Sequence, residues 1–252
     1  CGAEQFARHY EPTPRKIASW EYPNTIFFDN ALCDFSENGI VGMLIPSRET
    51  AEKFLLAKFR LKECFRDCAD FNSVIRRLCA IERGEYDKLP NEFESVSADF
   101  LGVMSFRSWR DLHRMGLSTH FRTRLTPYIG FYCYDKPSPP SFHKDCETLH
   151  KGAATLYRKM TDAGVPEELR EYAMPLGTLI GFTYGANLLQ HEFAIWQRSD
   201  FSVNHVVRRI FLGIENLLAS EYPWWEKLSR ANRIPAYVFA RGKKAIPVPA
   251  NK

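Results

Sequence analysis

Met174 to Arg198 reads MPLGTLIGFTYGANLLQHEFAIWQR, a run of apolar residues, glycines and hydroxyls whose only formal charges are Glu192 and Arg198. Its first half, Pro175 to Tyr184, is apolar enough for a buried strand or a buried helix, and periodicity alone does not separate the two. Its second half runs through Phe193, Ala194, Ile195 and Trp196 to Arg198. A cation closing an apolar stretch needs a partner or a ligand, although a lone arginine at the surface is the more ordinary case.

The flanking segments read more clearly. Downstream, Val206, Val207, Ile210, Phe211, Ile214, Leu217 and Leu218 form an amphipathic stripe that predicts a core helix. The tail from Pro235 to Lys252, with Arg241, Lys243 and Lys244, reads as an arm. Upstream, Leu149, Ala153, Leu156 and Met160 predict a helix over about Lys144 to Thr161 with Gly164 as its stop, and Pro166 starts a short one. A proline-rich break covers Lys136 to Ser141.

Glu92 to Asp99 reads as a strand, after which Val103, Phe106 and Trp109 step at helical spacing toward His113. A helix capped by Ser47 is expected to reach about Cys68, and a second to cover Phe71 to Ile81. The first 46 residues, with Pro12, Pro14, Pro23 and Pro46, read as short strands and turns wrapping the domain. No internal repeat is visible.

The composition agrees with one packed domain. The chain has 252 residues, 45% hydrophobic and 25% charged, which excludes disordered, collagen-like and rod-like classes. A net charge of +4 is too mild to mark a nucleic-acid binder by itself. Seven cysteines without a CxxC pair argue against a disulfide framework or a zinc knuckle. With no long apolar run and no signal-like core near the start, the expectation is a cytoplasmic protein without a membrane partner.

Charge is concentrated in one place. Ser105 to Arg124 holds Arg107, Arg110, Arg114, Arg122 and Arg124 with His113 and His120 against one acid, Asp111, and no lysine. Arginine offers a planar fork that grips phosphate bidentately, whereas lysine presents a point charge, so this strip suits positioned phosphate recognition. The plain alternative is a solvated basic helix face with ordinary salt bridges.

These residues resemble the flavin-dependent thymidylate synthases (ThyX), whose signature is RHRxxSxNExSxRY. Without a gap the match runs from Leu112 to Leu125 and keeps His113, Arg114 and Arg124. The first signature arginine is missing, and Arg110 is its nearest substitute. A one-residue shift instead sets Ser118 and Thr123 on the signature serines. Met174-Pro175-Leu176 looks like the family's Leu-Pro-Leu, Asn187 falls on its flavin-contacting asparagine and Arg198 on its nucleotide-activating arginine. Pro90-Asn91-Glu92 resembles its Pro-Phe-Glu, and Arg170 lies within one residue of a family phosphate contact. The resemblance covers residues 88–222 and leaves 1–87 divergent, with 235–252 as the arm of a single 1–252 domain.

The resemblance implies an α/β (α+β) fold with a central mixed sheet and long helices, assembled as a homotetramer with active sites between subunits. It implies FAD, 5,10-methylenetetrahydrofolate and NADPH as cofactors. FAD would be held by His113, Arg114, Asn187, Glu92 and His191. The nucleotide would be held by Arg110, His120, Arg122, Thr123, Arg124 and Arg170. Arg198 would face the pyrimidine as the catalytic residue. Where the family has Asn-Glu, this chain offers Thr119-His120 or His120-Phe121, so a carboxylate is lost. A changed sugar contact fits UMP, as in the ThyX-like uridylate methylases of nucleoside-antibiotic pathways such as polyoxin biosynthesis.

The expected activity is therefore C5-methylation of UMP, dUMP or both. The alternatives are a strict thymidylate synthase, an inactive homologue, and a non-catalytic nucleotide or RNA binder. Several features read blandly: His143, Cys146 and His150 lack a fourth metal ligand, Trp224 and Trp225 pack a helix end, His191 and Glu192 form a structural pair, and Asp200 is a possible partner for Arg198.

Overall fold

The computed structural model describes residues 39–84, 86–132, 140–234, 237–238 and 246–247. Residues 1–38 of the N-terminal segment expected to wrap the domain, Lys136 to Pro139 of the proline-rich break, the cysteines Cys1, Cys33 and Cys133, and the basic residues of the expected C-terminal arm lie outside the described residues.

The strands are β1 (Gly39–Leu44), β2 (Ser97–Ser105), β3 (Thr119–Arg122) and β4 (Leu179–Asn187), joined in the order β1-β2-β4-β3. The helices are α1 (Arg48–Phe59), α2 (Phe71–Cys79), α3 (Phe106–Leu112), α4 (Pro140–Asp162), α5 (Glu167–Arg170), α6 (Leu188–Arg198), α7 (His205–Glu221) and α8 (Trp225–Leu228). A two-stranded antiparallel pair, β5 (Tyr237–Val238) with β6 (Ile246–Pro247), follows. The chain thus has a mixed α/β fold with a central antiparallel sheet. No helix among the described residues is long and apolar enough to cross a membrane.

Contacts group into two units. Among the described residues the first holds 39–42, 101–114, 120–132 and 140–183, and the second 43–84, 86–100, 115–119, 184–234, 237–238 and 246–247.

In the first unit the β3–β4 register is fixed at Thr123, whose N–H donates to Gly181 O at 2.9 Å and whose Oγ1 accepts from Gly181 N–H at 3.1 Å. Phe106 N–H donates to Thr178 O at 2.9 Å and sets β2 against β4. The pairing explains why Val103 stands in a strand rather than in the expected helix. The end of β2 is buried on both faces, so its run of apolar residues carries no period of two and imitates helical spacing by accident. Long helix α4 ends as expected at Gly164, which takes φ +68°, a left-handed conformation that glycine adopts without a Cβ penalty.

The second unit is built on aromatic packing. Phe59 meets Phe65 and Phe93 edge-on, with centroids 5.0 and 5.6 Å apart, and Tyr222 stacks on Trp224 at 5.0 Å. Helix α1, capped by Ser47 accepting from Thr50 N–H, stops at Phe59 rather than near Cys68. There the Arg60 guanidinium turns to bind the carbonyls of Cys68 and Ala69, and the chain reverses through a short 3-10 turn, Glu63–Phe65. Pro90 opens another such turn, Asn91–Ser95, so the strand expected from Glu92 begins only at Ser97. Pro175 to Tyr184, left open by periodicity, becomes a turn and then β4. Trp225 fixes a helix end by donating from Nε1 to buried Glu215 at 2.7 Å.

Candidate functional site

The basic strip begins on α3, which Ser105 caps by accepting from Ser108 N–H. Burial of Trp109 and Leu112 fixes the inward face and leaves Arg110, His113 and Arg114 exposed. Asp111 engages Arg107 at 2.6 Å and reaches Arg114 only at 3.8 Å. Arg114 keeps 62% of its side chain exposed, and the His113 ring stacks near Trp109 at 6.2 Å. This pair offers a guanidinium and an imidazole to a phosphate-bearing group. His120 packs edge-on to Trp109 at 5.9 Å.

Further along, the strip is paired. Arg122 meets Glu171 at 3.2 Å and lies over the Phe106 ring. Arg124 sits 3.4 Å from Glu167 and 3.5 Å from Glu168. Arg170 donates to Thr161 Oγ1 at 2.8 Å and covers Tyr157 at 5.4 Å. The arginines expected to hold a phosphate therefore converge on the segment from α5 to Glu171, where glutamates already meet two of them. These acids were missed in the sequence reading. Their only signal was their number beside Arg170.

The remaining predicted residues belong to the second unit. Asn187 caps α6, its Oδ1 accepting from Gln190 N–H at 2.8 Å, so its Nδ2 stays without a partner among the described residues. Glu92 is drawn to Lys62 at 2.8 Å and is 11% exposed. His191 has 0% exposure. Its Nε2 lies 2.9 Å from Ala98 O and its ring sits edge-on to Phe100 and Tyr184. Burial pushes its pKa down to about 4, so the imidazole is neutral. With no surface to offer, His191 does not fit a cofactor contact, which corrects that expectation. Nor does it pair with Glu192, which is held by Arg230 at 2.8 Å.

Arg198 closes α6. Its Nε lies 3.2 Å from Met115 Sδ, and no carboxylate partners it among the described residues. Asp200, its possible partner, instead accepts from the Ser202 hydroxyl and from Ser202 N–H at 2.7 Å, and these bonds lower its pKa. Between Arg114 and β3 the chain makes a tight turn in which Leu117 adopts φ 58°. Ser118 Oγ there donates to Met115 O at 2.6 Å.

Each taken in its own unit, the exposed His113 and Arg114 suit a phosphate group, and the Asn187 amide offers a donor without a partner among the described residues. Glu92 is engaged elsewhere and His191 is enclosed. His143, Cys146 and His150 share α4, where His150 stacks on Phe131 at 5.2 Å. Among the described residues no group of three or more His, Cys, Asp or Glu could hold a metal ion.

No protein-family model matches the chain, and no curated protein matches it in sequence. Among solved structures it is similar to a UMP/dUMP methylase, PolB from Streptomyces cacaoi. The form bound with 5-Br UMP gives a TM-score of 0.56 at 16% identity, covering 75% of this chain and 95% of that one. The form bound with 5-Br dUMP gives 0.56 at 16% identity, covering 78% and 95%. The likeness shows a shared fold, in agreement with the α/β expectation.

Proposed function

We propose that this chain is a flavin-dependent methylase acting at C5 of a uridine monophosphate, UMP with or without dUMP, and working as a homotetramer. The observation that carries the reading is Arg198, a half-buried guanidinium with no carboxylate partner among the described residues, at the end of α6. An uncompensated positive charge in a poorly hydrated place favours the N3-deprotonated uracil and the electron-rich C5 that goes with it. The fold shared with a UMP/dUMP methylase supports the same reading.

In this reading His113, Arg114 and Asn187 hold FAD, and Arg110 and His120 contact the nucleotide. Arg122, Thr123, Arg124 and Arg170 receive the nucleotide phosphate, whose oxygens replace the glutamates now facing Arg122 and Arg124. When bound, reduced flavin supplies a hydride and methylenetetrahydrofolate the one-carbon unit, with NADPH as reductant of the flavin. No cysteine nucleophile is needed.

A second reading is nucleotide binding without chemistry, favoured by one observation: Glu171, Glu167 and Glu168 already neutralise part of the phosphate-gripping strip. The visible spectrum of the purified protein separates the two. A flavin band perturbed by added UMP supports the methylase. UMP binding without any flavin uptake supports the binder.

A further inference from the structure

Asp99 lies in β2 on the face opposite the buried Ala98 and Phe100. Its carboxylate is partly buried, and burial raises its pKa with no opposing contribution. Among the described residues it has neither a hydrogen bond nor an ion pair. The buried carboxylates of the same unit are treated otherwise, since Glu192 is held by Arg230 and Glu215 by Arg233. A half-buried carboxylate without a donor is costly unless a donor arrives from outside the chain.

The floor beneath it is equally specific. A Cβ built on Gly185 would lie 1.9 Å from Asp99 Oδ1 and 2.6 Å from Thr119 Oγ1. The two oxygens therefore lean over the same glycine from neighbouring strands, and any larger residue would push them apart. Thr119 is exposed, and its hydroxyl donates to Gly185 O at 3.3 Å, so its oxygen can still accept a hydrogen bond. An acidic and a hydroxyl oxygen side by side over bare backbone match two adjacent hydroxyls, because a carboxylate accepts from a sugar diol as acidic residues do in dinucleotide sites.

We propose that Asp99 and Thr119, on the floor of Gly185, bind the 2′,3′-diol of a ribose and make the chain select UMP over dUMP. This rests on the uridylate reading above and names the residue that would set its sugar preference. The adenosine ribose of FAD presents the same diol, so the test carries a flavin arm.

Titration calorimetry of UMP, dUMP and FAD against the full chain and its Asp99→Asn variant reads the site. The expected result is tighter binding of UMP than dUMP by the natural chain, and in the variant a loss of about tenfold in UMP affinity against a clearly smaller loss for dUMP, which keeps only the 3′-hydroxyl. The melting temperature of Asp99→Asn should be equal or higher, because a desolvated charge has gone; a purely structural role would lower it. Gly185→Ala, which displaces both oxygens, should lower UMP affinity in the same direction. Unchanged or equal losses for UMP and dUMP overturn the proposal, and a loss confined to FAD overturns its assignment to UMP. If the natural chain binds neither UMP nor FAD, the uridylate reading itself falls, an outcome distinct from an indifferent Asp99.

Discussion

Arg198 and Met115 meet through a guanidinium and a thioether, Nε 3.2 Å from Sδ, although they stand far apart in the chain. Sulfur is polarizable and uncharged, so the contact steers the guanidinium without neutralising it. Arg198→Ala should lower methylation by about 10²-fold or more while the flavin spectrum is kept. Arg198→Lys should rescue little, because an ammonium lacks the planar fork. Met115→Leu keeps the volume and loses the sulfur, so it should lower kcat several-fold with KM nearly constant. Steady-state kinetics on the three variants check this, and a KM effect alone would make the contact ordinary packing.

The arginine strip makes the opposite kind of prediction. Arg122 and Glu171 are both partly exposed at 3.2 Å, so their pair contributes only about 0.2–1 kcal/mol. Glu171→Gln removes a competitor for the guanidinium and should tighten UMP binding by a few-fold at low salt. The gain should shrink as salt rises. Weaker binding in the variant would mean that Glu171 orients Arg122 rather than competing for it.

Much of the helical framework was legible in sequence because its signals are local. Gly164 ends α4 with a positive φ, and Val206 to Leu218 declare α7 by spacing alone. The strands were harder, since β4 and the end of β2 are buried on both faces and lose alternation, which made Val103 look helical and left Pro175 to Tyr184 undecided. The site followed the same divide. The arginines fall within one short stretch, Arg107 to Arg124, whereas the glutamates that pair with them, Glu167, Glu168 and Glu171, lie far downstream. Asp99 became meaningful only through a sheet register that brings it over Gly185, and no local pattern encodes that register.

Stability should depend on Glu215, which is fully buried and accepts from Trp225 Nε1 at 2.7 Å and Ser229 Oγ at 2.9 Å besides its pairing with Arg233. Glu215→Ala strands these donors and should cost about 3–5 kcal/mol. Chemical denaturation measures it. A loss below about 1 kcal/mol would mean that the neighbouring groups find water instead.

His191 sets a pH dependence. Its pKa falls from 6.5 to about 4 on folding, so between those values the unfolded chain binds a proton that the native state refuses. Stability is therefore full above about pH 6.5 and falls as pH drops toward 4, with a slope approaching about 1.4 kcal/mol per pH unit from this residue. His191→Phe should flatten that slope in denaturation curves taken across the window. An unchanged slope would assign acid sensitivity to other groups.

The most direct test of the central claim is product formation. Purified protein is incubated with FAD, NADPH and methylenetetrahydrofolate, and with UMP or dUMP, and the nucleotide is examined by mass spectrometry for a methyl group at C5. The account predicts methylated UMP, dependent on added flavin and lost in Arg198→Ala. Both nucleotides recovered unmethylated from a protein that binds them would contradict it and leave the chain a nucleotide binder.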